Sequence, residues 1–309
     1  MKYWIFIWFW SFGFSQEIPA YEVLPNKLDF EGTIHRIIAF PSKHVQVRTV
    51  DVWLPKGYSN AKKYEVLYMH DGQMLFDGKT TWNKQEWGVD ETISQLILNQ
   101  QINDVIVVAI WNIPQVRYLD YFPQKAMDYL TKEEKNIILD NATSLGLNFN
   151  SLSADNYLKF IVNEVKPYVD STYSVETKAS KTAIMGSSMG GLISMYALCE
   201  YPNVFGKAAC LSTHWIGLKN LEHNPIPKAI FSYLMEHLPQ SKTHKIYFDY
   251  GTETLDAYYL PYQNRVSEIL KVKGYDAFST ENKRFDAADH TENAWKSRLS
   301  VPLLFLFKK

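Results

Sequence analysis

Thr182-Ala183-Ile184-Met185-Gly186-Ser187-Ser188-Met189-Gly190-Gly191-Leu192 is the stretch on which the reading of this chain turns. Its first four residues form a short apolar run suited to a buried parallel strand, and from Gly191 to Leu198 a helical pattern begins at once. Between them stands a G-x-S-x-G element, residues 186–190. A strand that turns this tightly into a helix holds its central residue in a strained conformation, and its neighbours two positions away come too close for a Cβ. Glycine at 186 and 190 permits the turn, which sets the Ser188 hydroxyl at the end of the strand beside helix N-terminal amides. Ser188 is therefore the candidate nucleophile.

A chain of 309 residues, 46% hydrophobic, can bury a substantial core as one or two domains. The formal charge of -1 offers nothing basic enough for a phosphate backbone, which argues against a nucleic-acid partner. Residues 1–15, MKYWIFIWFWSFGFS, place a lysine before an apolar segment and small residues at 13 and 15. That is the layout of an export signal cleaved after Ser15, too short to span a bilayer, so a periplasmic or secreted protein is expected. Two cysteines, Cys199 and Cys210, fall in apolar runs and read as buried thiols, with a disulfide between them open in an oxidising compartment. There is no His/Cys cluster with metal-ligand spacing, and no metal or cofactor is expected.

Outward from the serine, the chain alternates strands and helices. Residues 31–40 and 45–54 read as an antiparallel hairpin at a sheet edge. Strands at 64–69, 105–110, 207–211, 245–250 and 278–285 alternate with helices at 88–99, 154–168, 226–238, 266–272 and 292–307. Strand, helix, strand is the unit of a parallel sheet, so the expected fold is α/β, mostly parallel, with helices on both faces. Residues 111–152 lack clear periodicity and are rich in aromatics, which reads as a lid or substrate-binding insertion in a single domain spanning 16–309.

A serine nucleophile needs a base within reach and a carboxylate to orient that base, both on loops at the carboxyl ends of strands. His290, between the last strand and the last helix, is the expected base. His70 and His214 also follow strands, but only His290 fits the order serine, acid, histidine along the chain. In the loop after residues 245–250, both Glu253 and Asp256 qualify as the acid. Asp256 is preferred because a shorter side chain holds an imidazole more rigidly. For the developing oxyanion, the backbone N–H groups of Met189 and Gln73 are expected to serve, Gln73 lying in the Asp71-Gly72-Gln73 loop.

These motifs, with Met69-His70-Asp71-Gly72-Gln73, Gly186-Ser187-Ser188-Met189-Gly190-Gly191, Tyr250-Gly251-Thr252-Glu253 and His290, make the chain similar to the putative esterase family of the α/β-hydrolases. Its members include feruloyl and acetylxylan esterases of carbohydrate esterase family 1, enterochelin-type siderophore esterases and S-formylglutathione hydrolases. The resemblance implies an α/β-hydrolase fold and an exported serine esterase acting through an acyl-enzyme on small-molecule or carbohydrate esters. Siderophore hydrolysis, acyl transfer and a catalytically silent binding module are the competing readings. One departure stands out: feruloyl esterases carry their acid as G-T-x-D, whereas Thr254 occupies that position here, and a two-residue insertion would bring Asp256 into the slot. Resemblance and position together suggest that Arg117, Tyr121, His214 and Trp215 line the acyl or alcohol pocket.

Overall fold

The structure, a computed structural model, describes residues 20–24, 32–218 and 223–309. The segment read as an export signal, residues 1–15, lies outside them. Among the described residues one nine-stranded sheet runs through the molecule: β1 (Glu22–Val23), β2 (Thr33–Phe40), β3 (Arg48–Leu54), β4 (Glu65–His70), β5 (Val105–Ile110), β6 (Thr182–Ser187), β7 (Lys207–Leu211), β8 (Lys245–Tyr250) and β9 (Thr280–Arg284), in the spatial order β1-β2-β3-β5-β4-β6-β7-β8-β9. From β5 across to β9 every pairing is parallel, while β1, β2 and β3 join the edge antiparallel. The expected hairpin is β2–β3.

The central strands are continuous apolar runs because helices cover both faces. One face, carrying Leu67, Met69, Val107, Met185 and Leu211, packs on α1 (Val89–Leu98) and on two C-terminal helices, Glu292–Arg298 and Ser300–Phe307. The opposite face, carrying Val66, Tyr68, Val108, Ile184 and Phe248, meets the remaining helices. Residues two apart on one strand thus serve one layer and their neighbours the other, as the pleat requires.

Two expectations are corrected. The C-terminal helix, expected to be unbroken over 292–307, is interrupted at Leu299; Pro302 has no N–H to give the Arg298 carbonyl, and its ring crowds that group. The insertion 111–152 is also more regular than its pattern promised. It contains α2 (Arg117–Tyr121) and a thirteen-residue α3 (Lys132–Ser144) opened by a capping box between Thr131 and Glu134. Tyr121, Phe122, Ile138, Ala142 and Phe149 of this segment are buried in the main core. Cys199 and Cys210 are buried free thiols, and burial pushes both above their ordinary pKa.

A buried ion pair ties the insertion to the sheet. Arg48 Nη2 of β3 donates to Asp120 Oδ2 at 2.9 Å, with side chains only 1% and 4% exposed, and Ser153 Oγ donates to Asp120 Oδ1 at 2.5 Å. Stranding one charge of such a pair costs more than the pair itself contributes. Arg48→Met should lower unfolding free energy by about 3 kcal/mol or more, and adding Asp120→Leu should restore much of that loss, measured by urea denaturation. Equal losses in the single and double variants would show that the pairing of charge is not what matters there.

Candidate active site

Register brings the carboxyl ends of the strands together. Met69 pairs with Met185, Ser187 with Leu211, and Leu211 with Asp249, so the loops after β4, β6, β7 and β8 lie side by side. Ser188 sits between β6 and the helix Met189–Glu200 at φ 57, ψ -121, a conformation rare for any residue with a side chain. The turn is closed by Ser188 N donating to Leu211 O at 2.9 Å and by His214 N donating to Ser188 O at 3.1 Å. A Cβ at Gly186 would lie 2.8 Å from the Gly190 carbonyl, so only glycine fits. Ser188 is half-buried, open enough to meet a ligand, and Met189 at the first helical position has an N–H that the helix itself leaves unpaired.

The opposing backbone donor expected from the loop after β4 has a definite support. Gln73 lies in a short 3₁₀ turn, Gly72–Met74, entered through Asp71 at φ 57. Asp71 is gripped by Arg117, with Nε to Oδ1 at 2.8 Å and Nη2 to Oδ2 at 2.7 Å, and by Asn112 Nδ2 at 2.6 Å. Burial alone would raise the Asp71 carboxyl, but these partners outweigh it and hold the group below its ordinary value. A Cβ at Gly190 would come within 3.4 Å of Asp71 Oδ2, so the loop abuts the first turn of the helix Met189–Glu200.

On the far side, Asp256 and His290 are in contact: His290 Nδ1 and Asp256 Oδ1 are 2.5 Å apart. Between Gly251 and Asp256 the chain turns back through Thr254 at φ 53 and a 3₁₀ turn, Thr254–Tyr258. The loops after β8 and β9 are laced together: Thr252 N and Glu253 N donate to Ala288 O, and His290 N donates to Thr254 Oγ1 at 3.0 Å. A Cβ on Gly251 would fall 2.1 Å from Ala288 O, which enforces glycine there. Asp256 is 1% exposed, whereas Glu253, the alternative acid, is exposed to solvent.

The other sequence candidates take different places. Tyr121 is fully buried beneath the Arg117 guanidinium, 5.0 Å from its ring centroid, and accepts from Asp71 N at 3.3 Å. Trp215 is fully buried between Phe231 and Phe248 and belongs to the core, not to a pocket wall. A tryptophan next to a functional loop gives no sign in sequence of which way it turns. Arg117 is committed to Asp71 through both Nε and Nη2, and its side chain is 25% exposed. His214, 5% exposed, lies between Tyr259 and Tyr118, its Nδ1 2.8 Å from the Tyr259 hydroxyl and its Nε2 3.3 Å from that of Tyr118. Burial, and next the neighbouring His290, push His214 down to about 3. His70, whose Nδ1 lies 2.8 Å from the Tyr157 hydroxyl, is likewise pushed down to about 3 by burial. Both former rivals of His290 are thus fixed as neutral rings. Among the described residues no group of three or more His, Cys, Asp or Glu side chains could hold a metal ion, and no helix is long and apolar enough to cross a membrane.

Sequence reasoning missed three residues around Asp256: Ser212, Trp295 and Arg298. The signal was Asp249, a carboxylate in the buried part of the strand Lys245–Tyr250, which such a setting obliges to find a cation.

With this geometry in view, comparison with known proteins is decisive for the family. The profile of the family described as Putative esterase matches residues 44–306. The chain belongs to this esterase family. YbbA of Bacillus subtilis (strain 168) is 25% identical over 170 residues, 54% of this chain and 58% of its own length, so the chain spans little more than half of that relative. An IroE-like serine hydrolase from Shewanella oneidensis superposes with a TM-score of 0.62 at 17% identity, over 87% of this chain and 79% of that one. A CE1 ferulic acid esterase from Anaeromyces mucronatus gives 0.60 at 18% identity, over 94% and 98%. At such identities the esterase-family structures share the fold, which is that of the α/β-hydrolases.

The buried histidines of this family member carry a consequence for stability. Folded pKa values near 3 lie below the ordinary 6.5, so the unfolded chain binds protons that the native protein refuses. Stability from this source is complete above about pH 6.5 and falls as pH drops toward 3, by about 1.4 kcal/mol per pH unit for each ring. Urea unfolding between about pH 6 and pH 4 should show a shallower pH slope in His214→Gln than in wild type. An unchanged slope would mean that the ring is already protonated in the native protein.

Proposed function

We propose that the protein is an exported serine esterase using Ser188, His290 and Asp256. His290 Nε2 takes the Ser188 proton as Oγ attacks the ester carbonyl; the same proton then passes to the departing alkoxide, leaving an acyl-enzyme that a water molecule hydrolyses. Asp256 holds Nδ1 and offsets the charge that His290 gains in each half-reaction. The N–H groups of Met189 and Gln73 receive the carbonyl oxygen as it becomes negative. The observation that carries this reading is the 2.5 Å contact between Asp256 and His290, on the same sheet edge as a serine held at φ 57.

For the substrate, we favour sugar- or phenolic-acid-linked esters. The likeness to a ferulic acid esterase supports this, as does the aromatic setting of the loop beside the serine, where His214, whose backbone N–H bonds Ser188 O, lies between Tyr118 and Tyr259. Export rests on the signal-like layout of residues 1–15.

In purified protein, Ser188→Ala should reduce hydrolysis of p-nitrophenyl acetate by about 10⁴-fold or more, and Asp256→Asn by about 10³-fold or more. Glu253→Gln should stay within about twofold of wild type, because its side chain faces water. Undiminished turnover by Ser188→Ala would refute the proposal, and a large loss in Glu253→Gln with a silent Asp256→Asn would reassign the acid.

A further inference from the structure

Asp256 is 1% exposed, so whatever keeps its carboxylate charged and aimed has to come from the protein. Its Oδ1 faces His290, while Oδ2 accepts from Gly251 N at 2.6 Å and from Ser212 Oγ at 2.5 Å. The Ser212 hydroxyl in turn receives two donors from one face of the helix Glu292–Arg298: Trp295 Nε1 at 3.0 Å and Arg298 Nη2 at 2.9 Å. An indole N–H and a guanidinium cannot accept. The single proton of Ser212 therefore has one place to go, Asp256. Arg298 also binds Asp249, with Nη2 to Oδ1 at 3.1 Å and Nε to Oδ2 at 3.3 Å, and its Nη2 lies 4.0 Å from Asp256 Oδ2.

Two buried carboxylates thus share one guanidinium. Burial raises the Asp249 carboxyl, and Arg298 is the main influence pulling it back; Tyr247 Oη adds a donated bond at 3.0 Å. Ser212 itself stands at φ 41 and is fully buried. Glycine would satisfy that backbone more easily, so the hydroxyl is the reason for a serine there. The other titratable groups around this cluster are His290, His214 and Tyr259, the last with its ring centroid 6.0 Å from that of His290.

We infer that Arg298 and Ser212 are positioning residues for the acid of the proposed triad: Arg298 balances the charge of Asp249 and Asp256, and Ser212 relays its hold onto Asp256 Oδ2 so that Oδ1 stays on His290. This rests on the reading of Ser188, His290 and Asp256 given above. With Arg298 gone, two carboxylates are left in one dry site without the cation that balances them, so the negative charge held against His290 is no longer secured.

The test is p-nitrophenyl acetate hydrolysis by the full chain across pH, with circular dichroism and Tm for every variant. Arg298→Met should lower kcat by about tenfold or more with KM nearly unchanged, and should move the acidic limb of kcat/KM to higher pH. Arg298→Lys should keep the wild-type limb, and Arg298→Met combined with Asp249→Asn should bring it back toward wild type, because the competing carboxylate is gone. Where Arg298→Met does not fold, Ser212→Ala carries the test: it leaves the Arg298–Asp249 pair in place and should likewise cost about tenfold in kcat at constant KM. An acidic limb that does not move in folded Arg298→Met, or full kcat in Ser212→Ala, overturns the inference. Ser188→Ala measured alongside separates the two layers: if it is inactive while these variants are unimpaired, only the positioning role fails, and if it is active, the triad itself does.

Discussion

A strand that must become a helix within two residues has no space for side chains where its two ends meet, and this crowding governs the site. At Gly186 a Cβ would strike the Gly190 carbonyl, and the residue between them is forced to φ 57. The price of that strain is borne by the hydrogen bonds that close the turn, from Ser188 N to Leu211 O and from His214 N to Ser188 O. Both partners come from β7 and its loop, so the conformation of Ser188 depends on the parallel register of β6 and β7, and that register on the apolar layers packed above and below.

Around this turn, charge is placed in two enclosed pairs. Arg117 fixes Asp71 and with it the 3₁₀ turn that carries Gln73; Arg298 fixes Asp249 and stands over Asp256. In each case a guanidinium from a helix outside the sheet reaches a carboxylate at a strand end, where burial alone would push the acid toward neutrality. The insertion 111–152 and the last helices therefore serve the site through its supports.

Much of this architecture was legible in the amino-acid pattern. Val105–Ile110 is apolar throughout because both its faces are covered, and the two extended runs on either side of residues 41–47 pair as the hairpin β2–β3. The strand–serine–helix turn showed itself through its glycines. Other parts were hidden for physical reasons. In α3 the apolar stripe is thin, with Ile138 buried and Ile137 exposed, so periodicity was weak and only the Thr131–Glu134 capping box marked its start. Tyr121 and Trp215 flank functional loops but turn inward, a choice made by distant neighbours such as Phe231 and Phe248. The pairing of Asp249 with Arg298 joins residues 49 apart: a carboxylate within a buried strand signals that a cation is needed, but nothing local says which one supplies it.

The most direct measurement of the central claim is covalent labelling by a fluorophosphonate followed by peptide mapping, which asks whether Ser188 is nucleophilic and whether the His290–Asp256 contact makes it so. The account predicts a single adduct on the peptide carrying Ser188, formed rapidly in wild type and far more slowly in Asp256→Asn. No adduct at Ser188, or one formed at the same rate without the Asp256 carboxylate, would contradict it.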